Sequence, residues 1–218
     1  MNRLAVQPAR MMDVVVVIAI CFGWPMWGSI AALASHAPAS PFDDSTLAAL
    51  IVLELVLASA ALAYLSLRGH DLAPLVPRPT ILGCVIGVAL YAVATAAIWP
   101  MYFFAGKDEL AAQPIEQMIA GATVSLPWLV AVSVANGLFE EAFLTSYLLR
   151  ALQPLGAFVA IGVPLLIRAL CHLYQGPLGT ISAVGFGLVF AVYYWRTKLL
   201  WPVVFAHILA DVVGFVLR

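Results

Sequence analysis

Seven stretches of this chain stay apolar for about twenty residues each, and no other feature limits its fold so strongly. A helix rises about 1.5 Å per residue and the hydrocarbon layer is about 30 Å thick, so about 20 mostly apolar residues make one crossing. Residues 12–34, 46–67, 80–104, 124–149, 156–174, 178–195 and 199–217 satisfy that length. The sequence is 64% hydrophobic and 10% charged, whereas a soluble domain carries about 25% charged residues. The expected fold is therefore all-α, a polytopic membrane helix bundle with about seven transmembrane helices. Turn and breaker residues punctuate it: His36 to Ser45, Gly69 to Pro79, Gln153-Pro154, Gly176-Pro177 and Arg196 to Lys198. The first run lacks a small-residue cleavage signature and outlasts a signal-peptide core, so a retained anchor is expected.

Ten Lys/Arg against eleven Asp/Glu leave a net charge of −1, which gives no field suited to nucleic acid. The lipid bilayer is the expected surrounding. Cys21, Cys84 and Cys171 lie far apart inside apolar runs with no metal or redox spacing, and all three are expected as buried thiols. Cytoplasmic loops keep an excess of Lys/Arg. Arg3, Arg10, Arg68, Arg78, Arg150, Arg196 and Lys198 fall on one side of the bundle, with only Lys107 and Arg218 on the other. That asymmetry predicts an N-terminus inside and a C-terminus outside. Trp99, Trp128, Trp195 and Trp201 near span ends agree with interfacial anchoring. In the sixth run Gly179, Ser182, Ala183, Gly185 and Gly187 would let backbones approach closely, and no chemistry is assigned there.

Each charge inside a bilayer costs about 2.5–3.5 kcal/mol or more, so it needs a partner or a task. The first three runs hold Asp13, at an edge, and Glu54, which is expected to be a satisfied helix contact. The last four hold Asn136, Glu140, Glu141, Arg168, His172, His207 and Asp211. Residues four apart share a helix face: Asn136 with Glu140, Arg168 with His172, His207 with Asp211. Three polar stripes that lipid would reject must converge on one interior cavity. Glu140 and Glu141, about 100° apart on an α-helix, cannot both face its centre; one would act and the other support it. Counted along the helices, Glu140 lies about 15 Å and His172 about 25 Å from their shared end, so the fifth helix is expected to start late, with 151–160 partly interfacial.

These residue types suit amide hydrolysis. A desolvated Glu can serve as general base toward water, and imidazoles can polarise water, bind metal or donate to an oxyanion. Ser146 and Cys171 adjoin the cluster but lack a His at the spacing a nucleophile needs. Intramembrane Glu/His/Asp chains also mark proton relays, so a proton-coupled transporter is the alternative, although the sequence has no internal repeat of the transporter kind.

Three segments together, F-E-E-A-F-L-T-S-Y-L-L (139–149), R-A-L-C-H-L (168–173) and H-I-L-A-D (207–211), resemble the motifs of the CAAX-processing and bacteriocin-processing intramembrane protease family, which includes the Ras-converting CAAX endopeptidase. The likeness spans about 80 residues in the last four runs. It implies a membrane endopeptidase of glutamate or metal-assisted type, with residues 116–218 as a catalytic four-helix core and 1–115 as N-terminal helices. It further implies Glu140 activating water with His172, Glu141 as supporting carboxylate, and His207 with Asp211 completing the site. His172, His207 and Glu140 are the candidate ligands if zinc is bound. Arg168 and Asn136 would support the site. The partner implied is a membrane-anchored protein or peptide: a prenylated tail, a sorting-signal tail or a bacteriocin leader. The Ala/Val/Leu content and compact length point to a bacterial inner membrane. Two positions depart from the family pattern, which usually has Arg then Gly where this chain has Thr145 and Ser146, and Phe in place of Arg168. Arg168 is expected to replace the usual arginine from across the cavity, pairing with Glu141 or Glu140. A catalytically inactive binding or immunity protein is the reading that Thr145 would favour.

Overall fold

The computed structural model describes residues 11–35 and 40–217; Arg3, Arg10 and Arg218 of the orientation argument lie outside them. Three long helices come first: α1 (Met11–Ser35), α2 (Asp44–Leu67) and α3 (Ile81–Phe104). Two short ones, α4 (Lys107–Ala111) and α5 (Pro114–Ala120), lead into α6 (Leu126–Glu140), which continues as a π-helical stretch, Glu141–Leu148, and as α7 (Leu149–Leu152). Then come α8 (Ala157–His172), α9 (Gly176–Thr197) and α10 (Trp201–Val216), and no strand occurs among the described residues.

Five helical segments are long and apolar enough to cross a membrane: Met11–Ser35, Asp44–Leu67, Ile81–Phe104, Leu126–Leu155 and Ala157–Thr197. The chain is thus a polytopic all-α membrane protein. The fifth segment is two helices, because a 3₁₀ turn at Leu173–Gln175 separates α8 from α9. The shorter apolar helix Trp201–Val216 takes the place of the seventh run.

Local chemistry sets the boundaries. The Asp43 carboxylate accepts the Thr46 backbone N–H at 2.7 Å and caps α2, and Thr80 Oγ1 accepts the Gly83 N–H at 3.0 Å and caps α3. Gly156 and Gly176 have φ of +89° and +85°, the region open to glycine, and each starts a helix after a reversal. The expected late start of the fifth helix is not how the depths meet. Instead the fourth segment runs on through Leu155, so Glu140 and His172 lie the same sixteen positions on either side of Gly156.

The N-terminal helices each cover part of the later bundle: α1 lies on α8, α2 on α6, and α3 between α9 and α10. Asp13 is buried and ties α1 to the end of α2, accepting from Tyr64 Oη (2.7 Å), Arg68 Nε (3.0 Å) and His70 Nε2 (3.0 Å). Cys21 and Cys171 are buried as expected, but Cys84 is only half-buried, its Sγ accepting from the Trp201 indole N–H at 3.4 Å. The close approach of α3 to α10 brings this indole to it. A Cβ at Gly87 would come within 2.9 Å of the Pro202 carbonyl oxygen.

Backbone cannot yield as a flexible side chain can. Gly87→Val is expected to destabilise the protein by about 1–3 kcal/mol, while Gly23→Ala, where a Cβ meets nothing within 4 Å, leaves stability unchanged. Thermal melts in detergent check the contrast.

Candidate active site

The polar stripes predicted on α6, α8 and α10 do meet. Arg168 sits between the paired glutamates, Nη1 donating to Glu140 Oε2 at 2.8 Å and Nη2 to Glu141 Oε1 at 2.6 Å. A planar guanidinium fork suits two carboxylates at once, and the Arg168 side chain is only 5% exposed. Both glutamates therefore turn toward α8, contrary to the expectation from regular α-helix geometry. The helix changes to π-helical winding at Glu141. An i→i+5 pattern leaves a smaller angle between successive residues than the α-helix does, which lets two neighbours reach one partner.

Every oxygen of Glu141 is occupied. Oε1 accepts from Arg168 and from His207 Nδ1 (2.7 Å), and Oε2 accepts from Thr145 Oγ1 (2.5 Å). Glu140 is different: Oε2 is held by Arg168, while Oε1 faces His172 Nε2 at 3.9 Å. That separation is too long for a hydrogen bond and suits one water molecule held by both atoms. The other ring nitrogen of His172, Nδ1, lies 2.8 Å from the Arg168 carbonyl oxygen. A carbonyl can only accept, so Nδ1 carries the hydrogen and Nε2 of the neutral ring is an acceptor.

His207 is fixed from both ends in the same way. Its Nδ1 donates to Glu141, and its Nε2 accepts from Asn136 Nδ2 at 3.2 Å. Asn136 Nδ2 also reaches Asp211 Oδ2 at 3.3 Å, and Asp211 Oδ1 stands 3.7 Å from His207 Nε2. All seven residues singled out in the sequence thus form one connected cluster. Of the two rejected nucleophiles, Ser146 Oγ is taken up by the Pro74 carbonyl (2.7 Å) and Tyr194 Oη (2.8 Å).

Glu140, Arg168, His172, His207 and Asp211 line a cavity of about 710 Å³. Three of its features were missed in the sequence. Glu54 lines the cavity from α2, and its buried Oε2 has no hydrogen-bond partner, so it is not the satisfied contact expected. Tyr174 stacks near His172, ring centroids 6.4 Å apart, with no sequence signal to announce it. Gly187 of α9 leaves the room that the Arg168 side chain occupies: a Cβ there would lie 2.8 Å from Arg168 Cδ and Nε. The small-residue stripe was visible, but its service to a buried arginine was not.

Ligand atoms of Glu140, Glu141 and His207 lie within 4.8 Å of one another, a group that could hold a metal ion. The residue types are those of zinc sites. Their hydrogen bonding as it stands does not fit one. Each carboxylate already serves Arg168, and the nearest His207 nitrogen aims its N–H at Glu141. A divalent ion among these atoms would also stand beside a guanidinium, a repulsion of about 4 kcal/mol per unit charge at 4 Å and an effective dielectric constant of 20.

Comparison with known proteins agrees with this geometry. The family model described as type II CAAX prenyl endopeptidase Rce1-like matches residues 122–213, a range that contains the whole Asn136–Asp211 cluster. Searches of curated proteins and of solved structures find no match. The segment from residue 122 to residue 213, with its paired glutamates, bridging arginine and two oriented histidines, is thus similar to the type II CAAX prenyl endopeptidases of the Rce1-like family.

Proposed function

We propose that this protein is an intramembrane endopeptidase that hydrolyses a peptide bond next to the membrane-embedded or lipid-anchored segment of a protein substrate. The observation that carries the reading is the 3.9 Å gap between Glu140 Oε1 and His172 Nε2 on the cavity wall. Two acceptors at that spacing hold a water by both of its hydrogens and draw charge onto its oxygen. Glu140 is the general base, since Glu141 has no oxygen to spare. His172 Nε2 holds the water's second hydrogen, and the proton that Glu140 takes from the attacking water is the one returned to the leaving amine. Asn136, held by His207 and Asp211, turns an amide N–H to the developing oxyanion, and Glu141 orients His207 behind it.

Arg168 places a positive charge against both glutamates in an apolar surround and fixes which oxygen of Glu140 faces the water. It does the work that the family pattern gives to an arginine at the position of Thr145, and this argues for an active enzyme rather than an inactive relative. Residues 116–218 carry the chemistry in this proposal, and 1–115 form the cavity's outer walls. The basic residues Arg68, Arg78, Arg150, Arg196 and Lys198 support a cytoplasmic side that holds the connections 68–80, 150–156 and 196–200. Prenylated tails are the substrate class suggested by the family's name; sorting-signal tails and leader peptides have the same membrane-anchored chemistry.

Cleavage of a farnesylated fluorogenic CAAX peptide and of co-expressed membrane-anchored candidates tests the reading. Glu140→Gln and His172→Ala are each expected to lower the rate by about 10²-fold or more, the range of a general base. A chelator leaves the wild-type rate unchanged; its loss on chelation would replace the Glu/His mechanism with a metal-assisted one.

Arg168→Leu strands two buried carboxylates, and a fall in stability of about 3–5 kcal/mol with loss of cleavage is expected. Gly187→Val tests the same bridge from the opposite side. It displaces Arg168 without altering any charge, so cleavage falls by at least about tenfold for each 1.4 kcal/mol of misplacement, while the protein stays folded by circular dichroism.

A further inference from the structure

Three buried side-chain atoms have no hydrogen-bond partner among the described residues: Glu54 Oε2, Thr95 Oγ1 and Tyr147 Oη. An unpaired buried polar group loses its water without replacement, so such groups are few and each asks for a reason. Glu54 and Thr95 line the cavity that holds Glu140 and His172. They come from α2 and α3, outside the segment that matches the family.

Thr95 is the more telling. A hydroxyl inside a helix ordinarily turns back to the carbonyl four residues earlier. Ser133, Thr180, Ser182 and Thr197 do so here, at 2.8–3.0 Å. The same carbonyl lies within reach of Thr95, at Tyr91, and Thr95 does not use it. Glu54 is only 5% exposed, and its neighbours leave one carboxyl oxygen unmatched. Glu54 lies thirteen residues before the end of α2 and Thr95 fourteen after the start of α3. Each is therefore about 20 Å from the connection that joins the two helices, and the two side chains stand at one level of the bundle.

An extended peptide in a largely apolar cavity has the complementary problem. Its N–H and C=O groups leave water and must find partners inside. We propose that Glu54 and Thr95 are a main-chain anchor for the substrate: the Glu54 carboxyl accepts a peptide N–H, and the Thr95 hydroxyl donates to a peptide carbonyl close to the bond presented to Glu140. Leu57, Ile98 and Phe186 line the same cavity and suit apolar side chains on the bound segment. The substrate class is thus an extended peptide with apolar residues beside the scissile bond. The anchor rests on the endopeptidase reading for its occupant, but on different residues and a different step.

The test uses the full chain in lipid nanodiscs, with a farnesylated fluorogenic CAAX peptide as probe and both binding and cleavage as readouts. Thr95→Val and Glu54→Leu are each expected to weaken binding and raise KM by about threefold to tenfold, one lost hydrogen bond, with kcat nearly unchanged. Glu54→Gln, which keeps an acceptor, returns binding to near the wild-type value. Methylating the peptide nitrogen that meets Glu54 weakens wild-type binding to the same degree and adds nothing in Glu54→Leu. Because neither atom has a partner to lose, Thr95→Val and Glu54→Leu melt at or above the wild-type temperature. Unchanged binding in both variants, no binding to the wild type, or a melting temperature several degrees lower would each overturn the anchor. Wild-type binding without cleavage, with the variants still weakened, keeps the anchor and removes the endopeptidase; cleavage with unaltered KM in the variants does the reverse.

Discussion

The bridge from Arg168 to Glu140 and Glu141 is the constraint around which the C-terminal helices are arranged. Two carboxylates in an apolar bundle need cationic charge close by, and one planar guanidinium meets both at 2.8 and 2.6 Å. The consequences reach three elements. The fourth helical segment must reach as far as Leu155 for Glu140 to share a level with Arg168 and His172. It must also take π-helical winding so that neighbouring glutamates turn the same way. The ninth helix must present glycine at 187 to admit the arginine stem. His207 of the tenth helix is then held by the glutamate that the arginine fixes.

The same bridge makes two adjacent and chemically identical residues unlike. Thr145, Arg168 and His207 together use both oxygens of Glu141, whereas Glu140 keeps one oxygen turned to His172. Thr145 and Arg168 divide the partners of Glu141 between them. Thr145 is too short to carry charge to the glutamates, but its hydroxyl satisfies the oxygen that Arg168 leaves open.

What the sequence made legible follows from how local each signal is. Length and apolarity mark a spanning helix without reference to any neighbour, so the seven runs correspond to α1, α2, α3, the α6–α7 segment, α8, α9 and α10. Spacing of four along a helix is equally local, and Asn136, Glu140, Arg168, His172, His207 and Asp211 were visible as stripes before any packing was known. The pairing of Arg168 with the glutamates could be anticipated from charge in an apolar medium. Features set by more than one element could not. The π-helical winding at Glu141, the Trp201 contact of Cys84 and the use of Gly187 each involve side chains from different helices. Glu54 looked like an ordinary buried contact because a lone acid in an apolar run says nothing about what faces it.

The division between the two halves of the chain has a physical logic. Hydrolysis needs ionised groups and water at a depth where both are costly, and a charged cluster is tolerable there only if it is internally paired. The C-terminal helices achieve this with a network in which nearly every donor and acceptor is used, and the same pairing leaves little polarity for recognising a substrate. In the proposed enzyme, recognition falls to helices that bear no part of that network. The α2 and α3 helices leave one carboxyl oxygen and one hydroxyl unmatched, each a single isolated group, and in that proposal one bound peptide offsets the cost of both. An unpaired acid inside the Glu140–Asp211 cluster would instead compete for Arg168 and disturb the oxygen that faces His172. Segregating the two kinds of polar group onto different helices lets the site be fully paired for chemistry and still incomplete for binding.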